Sequence, residues 1–89
     1  MSDDRVAELR SRIGANDRAI VEAVNERLRL VSELWTLKRE QGLDRLDPDR
    51  ERRLREELAA ANPGPLSAGG LDALLSELLR LTKRELDPD

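Results

Sequence analysis

Arg27 and Lys38 stand eleven residues apart in VNERLRLVSELWTLKRE, residues 24–40, a stretch whose apolar spacing is that of a helix burying one side. Eleven residues make almost three whole turns, so the two cations share nearly the same face, about 16 Å apart along the axis. Counted in sevens, the buried side runs Val6, Ile13, Ile20, Arg27, Leu34, with a second row of Arg10, Asp17, Val24, Val31, Lys38. An apolar side chain at such a position contributes roughly 1.5–3 kcal/mol by burial. A cation buried there without a partner is destabilising instead. Three readings of Arg10, Arg27 and Lys38 are open. They sit at a solvated edge, with stems packed and heads in water. They are paired internally, for example Arg10 with Asp17 or with an acidic group from a second helix, fixing register. Or they face a cavity that receives an anion. Extended Arg27 and Lys38 side chains can converge on a small ligand between them, over a floor of Val31 and Leu34.

Composition narrows the chemistry. The 89-residue chain has no Cys and no His, which removes disulfides, thiolate nucleophiles, His-ligated metals and an imidazole base. It has one Trp and no Phe or Tyr, so stacking platforms for single-stranded nucleic acid are missing. Charged residues make up 39% of the chain with the signs interleaved, and the net charge is −3. An acidic balance without a basic tail argues against nucleic acid or a membrane surface as partner. No apolar run approaches a membrane span, and the N-terminus MSDDRVAELR lacks a signal-peptide core. The expectation is one soluble, cytoplasmic domain over residues 1–89.

The elements that position these residues are all helical. Helix 1 is expected over about 3–41: the stretch lacks Pro, Gly14 is its one interior weak point, and Gly42 is a plausible stop. Asp47 as N-cap and Pro48 at the first helical position start helix 2, expected over about 48–61 with Leu54, Leu58 and Ala61 facing in. It opens with Asp49, Arg50 and Glu51, which bring a further cation and two more carboxylates to the same helix start. NPGPLSAGG breaks that helix, and Ser67 caps helix 3, expected over about 68–86 and rich in Leu.

Helix 1 is too long for a compact chain of this size. At 1.5 Å per residue it spans roughly 55–60 Å. A compact domain of 89 residues has a radius of gyration of about 12 Å and a diameter of roughly 30 Å. Two shorter helices cannot cover both halves of such a rod. The fold expected is therefore an all-α, three-helix chain whose very long first helix pairs with a second copy, an intertwined helical homodimer. The competing arrangement is a monomer whose first helix breaks near Gly14.

The order and spacing also carry a resemblance. LRSRIGANDRAIVEAVNERLRLV followed by LKREQGLDRLDPDRE, and more loosely NPGPL to LLSELLRLTKREL, resembles the all-helical class of chorismate mutases, type II. The motif set is an Arg in the first turns, then ERxxL, a Lys eleven residues after that Arg, then DPxRE. The resemblance implies an intertwined dimer with two active sites. There chorismate, a dicarboxylate, undergoes a Claisen rearrangement to prephenate on the way to phenylalanine and tyrosine. It implies no cofactor and no metal, because the reaction is pericyclic and unimolecular. Carried over by position, Arg27 binds a substrate carboxylate, and Arg10 reaches across the dimer to help hold the other. Lys38 donates to the ether oxygen of the breaking bond and touches a carboxylate. Asp47 and Glu51 accept from the ring hydroxyl, Arg50 adds positive potential, and Thr82 takes the place of a small hydroxyl residue near a carboxylate.

Asp47 also has a purely structural use as a helix cap, and Arg50 and Glu51 suit an exposed helix face. Two positions depart from the family pattern. Leu86 stands where a Gln or Glu commonly hydrogen-bonds the ether oxygen, with Glu85 one residue away. Trp35 stands where many relatives have a small residue; it either changes how closely helices approach or anchors a partner. Some small members of the family are activated by docking to the first enzyme of the shikimate pathway, and such a complex is a possible partner here. Two other functions fit the same scaffold: an isochorismate pyruvate-lyase, and a non-catalytic regulatory or dimerisation domain. Keeping all six charged residues weighs against the latter, because an apolar seam stabilises more.

Overall fold

A computed structural model describes residues 2–87. The chain forms three helices, α1 (Ser2–Glu40), α2 (Pro48–Ala61) and α3 (Ala68–Leu86), and no strand among the described residues. Helix α1 is continuous through Gly14, so the break considered there is absent. It ends in a left-handed glycine: Gly42 has φ 69°, Leu43 N–H reaches back to Lys38 O at 2.8 Å, and Gly42 N–H to Arg39 O at 3.3 Å. These two bonds satisfy carbonyls the helix end leaves open. Asp47 caps α2, its Oδ1 accepting from Arg50 N–H at 3.1 Å, with Pro48 at the first helical position. Ser67 caps α3 by accepting from Gly70 N–H at 3.0 Å. A Cβ at Gly70 would lie 2.9 Å from Leu66 Cδ1 and 3.1 Å from Ser67 Oγ, so a larger residue there would have to push the Leu66 side chain aside and crowd the capping hydroxyl.

Helix α3 is the centre of what core the chain has. It packs against α1 and against α2, while α1 and α2 do not pack directly on each other. Leu71, Leu75 and Thr82 share one face of α3 and are the buried residues among those described. Arg27 of α1 reaches Thr82, and Arg45 of the 41–47 connection reaches Asp87, so α3 runs alongside the C-terminal half of α1. Two helices held apart by a third leave a gap between them, and that gap is the cleft described below.

The N-terminal half of α1 has no such support. From Asp3 to Ala23 every residue except Gly14 is exposed, including Val6, Leu9, Ile13, Ile20 and Val21. The chain measures 61 × 25 × 20 Å with a radius of gyration of 17.1 Å, against about 12 Å for a compact chain of this length. Its accessible surface is 7469 Å², where a folded monomer of this mass exposes about 5,300 Å².

With so small a core, each member of it matters. Leu75 is only 8% exposed, and Leu75→Ala is expected to lower unfolding free energy by about 2–4 kcal/mol. Urea titration at fixed protein concentration, followed by helical circular dichroism, measures it.

Candidate active site

A cleft of about 870 Å³ opens between α1 and α2 with α3 at its base. Helix α1 contributes Arg27 and Lys38, over Val31 and Leu34. Helix α2 and its cap contribute Asp47, Arg50 and Glu51. Helix α3 contributes Thr82. Six of the seven residues singled out by sequence therefore meet at one cleft. The seventh, Arg10, does not: it is exposed on α1, about 25 Å along the helix from Arg27, beyond the reach of its own side chain.

Internal pairing does not account for these cations. Among the described residues neither Arg27 nor Lys38 has a carboxylate within 4 Å, and Arg10 and Asp17 do not pair. Arg27 donates from Nη1 to the hydroxyl of Thr82. That hydroxyl is buried, and it donates in turn to Leu78 O at 2.7 Å. The helix carbonyl takes the hydroxyl proton, so the Thr82 oxygen is left as an acceptor for Arg27. The guanidinium is aimed by a neutral group and keeps its charge uncompensated. Lys38 donates to the backbone carbonyl of Arg45 at 3.2 Å. An ammonium has three protons, so two remain for a ligand.

Asp47 uses one carboxylate oxygen as helix cap. Capping and ligand binding are compatible, because the second oxygen is not needed by the helix. Glu51 lies 3.6 Å from Arg55 one turn on, and Arg55 also bonds Asp72 and Ser76 of α3. Helices α2 and α3 are tied together there, on the flank of the cleft.

The structure also brings in residues that sequence reasoning missed. Asp44, Arg45 and Lys83 line the cleft. The first two lie in the 41–47 connection, where no periodicity announces direction, and Lys83 was hidden among the charges at the end of α3. With them the cleft is lined by five cations and three carboxylates; Arg45 and Glu51 pair with Asp87 and Arg55 outside the lining, and the rest leave an excess of two positive charges in a chain whose net charge is −3. Leu86, at the position where the family commonly has Gln or Glu, borders a separate shallow groove with Leu28 and Ser32, and neither it nor Glu85 lines the cleft. Trp35 lines the cleft, with the Arg45 guanidinium stacked 4.1 Å from its ring centre.

A cleft with two spare positive charges, carboxylates able to accept from a hydroxyl and an apolar floor suits a small dianion. The chorismate mutase type II family matches the chain over residues 9–86, the span that supplies every residue of the cleft. The chain belongs to the type II chorismate mutases. It is similar in structure to a chorismate mutase of Thermus thermophilus, with a TM-score of 0.83 and 35% identity over 88% of this chain and 98% of that one. No curated protein sequence matches it significantly. Among the described residues no group of His, Cys, Asp or Glu is arranged to hold a metal, and no helix is long and apolar enough to cross a membrane.

Thr82 gives the most direct handle on how the cleft of this mutase orients its cations. Thr82→Val keeps the shape and removes the acceptor that Arg27 uses. A hydrogen bond to a charged group is worth roughly 1.5–3 kcal/mol, so kcat/KM for the mutase reaction is expected to fall by about ten- to a hundredfold. Steady-state kinetics beside a thermal melt separates this from loss of fold.

Proposed function

We propose that the chain rearranges chorismate to prephenate as a homodimer, with one cleft per protomer. The observation that carries the proposal is the pair of cations, Arg27 and Lys38, turned into the cleft with no carboxylate to neutralise them. A doubly charged acid supplies the missing partners.

The reaction breaks the C–O bond of the enolpyruvyl ether as a C–C bond forms at the ring, within one cyclic shift of electron pairs. No nucleophile, base or cofactor takes part. The protein has two jobs. It must hold the flexible side arm over the ring with the reacting carbons close and aligned, which removes an entropic barrier. It must also stabilise negative charge as it gathers on the ether oxygen. Arg27, fixed by Thr82, grips one carboxylate. Lys38 uses its free protons on the ether oxygen and the adjoining carboxylate. Asp47 and Glu51 accept from the ring hydroxyl. Arg50 adds positive potential, whose attraction for the leaving oxygen grows as that oxygen becomes more negative.

Arg10 finds its use in the dimer. The exposed apolar row on the N-terminal half of α1 and the surface excess of about 2,200 Å² per chain are of the size an obligate partner covers. Pairing α1 with α1 puts Arg10 of one protomer at the cleft of its partner, where it meets the second carboxylate. An activating complex with the first enzyme of the shikimate pathway is a further possible arrangement. Trp35 is a poor anchor for it, since Arg45 stacks on the indole.

Purified protein mixed with chorismate is expected to consume it, read by loss of absorbance, and to form prephenate. Isochorismate is expected to yield no pyruvate. An inert protein would overturn the proposal, and repeating the assay with the pathway's first enzyme tests the complex. Lys38→Ala is expected to lower kcat by about a thousandfold, the scale of one lost donor at a developing oxyanion, while sedimentation still finds the dimer. Arg10→Ala and Lys38→Ala are each expected to be nearly inactive alone. Unfolded together and refolded at equal amounts, they are expected to recover about a quarter of wild-type activity, because half the dimers then carry one intact site of two. No recovery would mean that Arg10 serves its own protomer or none.

A further inference from the structure

Arg45 lies at the cleft, but its guanidinium is already engaged on one face and at one edge. One face stacks on Trp35 of α1 at 4.1 Å, and Nη1 pairs with Asp87 Oδ2 at 2.9 Å. Asp87 is itself fixed as the C-cap of α3, its N–H donating to Lys83 O at 2.8 Å. The backbone carbonyl of the same Arg45 receives the Lys38 ammonium. One residue thus joins α1, the end of α3 and the lysine that the mechanism needs.

The 41–47 connection has little else to hold its middle. Its first half is tied down by the bonds of Gln41, Gly42 and Leu43 to the end of α1. Its last residue, Asp47, belongs to the cap of α2. Between them Leu46 is 82% exposed, and among the described residues no backbone-to-backbone bond fixes 44–46. The contacts that hold it are those of Arg45: its side chain meets Trp35 and Asp87, and its carbonyl takes one of the three protons of Lys38. A planar guanidinium suits this double use, since it lies flat on an indole while its edge meets a carboxylate.

We infer that Arg45 is a positioning residue: clamped between Trp35 and Asp87, it places the loop carbonyl that orients the Lys38 ammonium toward the reacting ether oxygen. Its own charge is spent on Asp87, so it is not a substrate contact. Trp35 acts as the platform, and the C-cap of α3 as the post. The inference depends on Lys38 being the group that meets that oxygen.

The test is a double-mutant cycle with chorismate as substrate. Arg45→Ala is expected to lower kcat by about ten- to a hundredfold, the scale of an ångström-sized misplacement, with KM changed by less than about threefold. In the Lys38→Ala background the same change is expected to have no further effect beyond about twofold, because the lysine it positions is gone. Arg45→Lys, which keeps charge but cannot stack and pair together, is expected to fall between. An unchanged kcat in Arg45→Ala overturns the inference. So does an equal loss with and without Lys38, which would make Arg45 an independent contact. Should Arg45→Ala fail to fold, the Trp35→Leu, Asp87→Ala double variant leaves Arg45 present but unheld and is expected to show the same kcat loss; an unchanged kcat there overturns the clamp. Backbone nitrogen-15 order parameters at residues 44–46 read the clamp without catalysis. They are expected to fall in either variant, and no change would overturn the clamp even if the wild type were inert toward chorismate, an outcome that by itself speaks against the mutase reading only.

Discussion

A helix of 39 residues in a chain of 89 is the constraint from which the rest follows. Helices α2 and α3, with 14 and 19 residues, have apolar surface for only part of it. They gather on the C-terminal half, and α3 holds α1 and α2 apart there. The shortage of helix thus has two effects. It leaves the N-terminal half in search of cover, and it leaves a gap rather than a packed core at the other end. A third helix of α1's length would have filled the gap and closed the site.

Inside that gap the balance of charge is the second constraint. An enclosed cation without a counter-ion destabilises the folded chain, and a salt bridge built within the site would relieve the cost. The chain has acidic groups enough to build one, with 19 against 16 basic residues. Arg27 instead meets a hydroxyl, and Lys38 a peptide carbonyl. Both are neutral acceptors. They fix direction while leaving the field of each cation intact for an incoming acid. A carboxylate at residue 82 would hold Arg27 more firmly and would also cancel what Arg27 offers. The openness of the cleft lowers the cost further, since water solvates the cations until a ligand replaces it.

The helices were readable because their signals are local. Asp47–Pro48, Ser67 and Gly42 each act on the nearest backbone groups, and the structure uses each in that way. Arg27 and Lys38 were readable because a charge in an apolar row contradicts the period around it. Asp47, Arg50, Glu51 and above all Thr82 had ordinary uses on a helix. Only the resemblance to a known pattern singled out their roles, and only the packing of α3 brought Thr82 to Arg27 across 55 residues of sequence. Arg45 and Asp44 could not be found at all, since a connection has no repeat from which to infer direction. Leu86 shares a face with Thr82 by count, yet its side chain borders Leu28 and Ser32 and does not line the cleft, which depends on packing that a count along the helix does not give.

Trp35 shows how a departure from a pattern is absorbed by its surroundings. An indole at the edge of a cleft removes room, and taken alone it reads as an obstruction or as an anchor for some other protein. The partner it has is Arg45, and the pair needs Asp87 to balance its charge. The three residues come from a helix, a loop and a helix end, so none implies the others along the chain. Together they brace the stretch of backbone that the sequence leaves loosest, beside the cation whose direction matters most. Leu86 does not line the cleft, so in the proposed mechanism Lys38 serves the ether oxygen without a second donor from that position. On that proposal a single donor must be aimed well, and the brace holds the carbonyl that Lys38 meets.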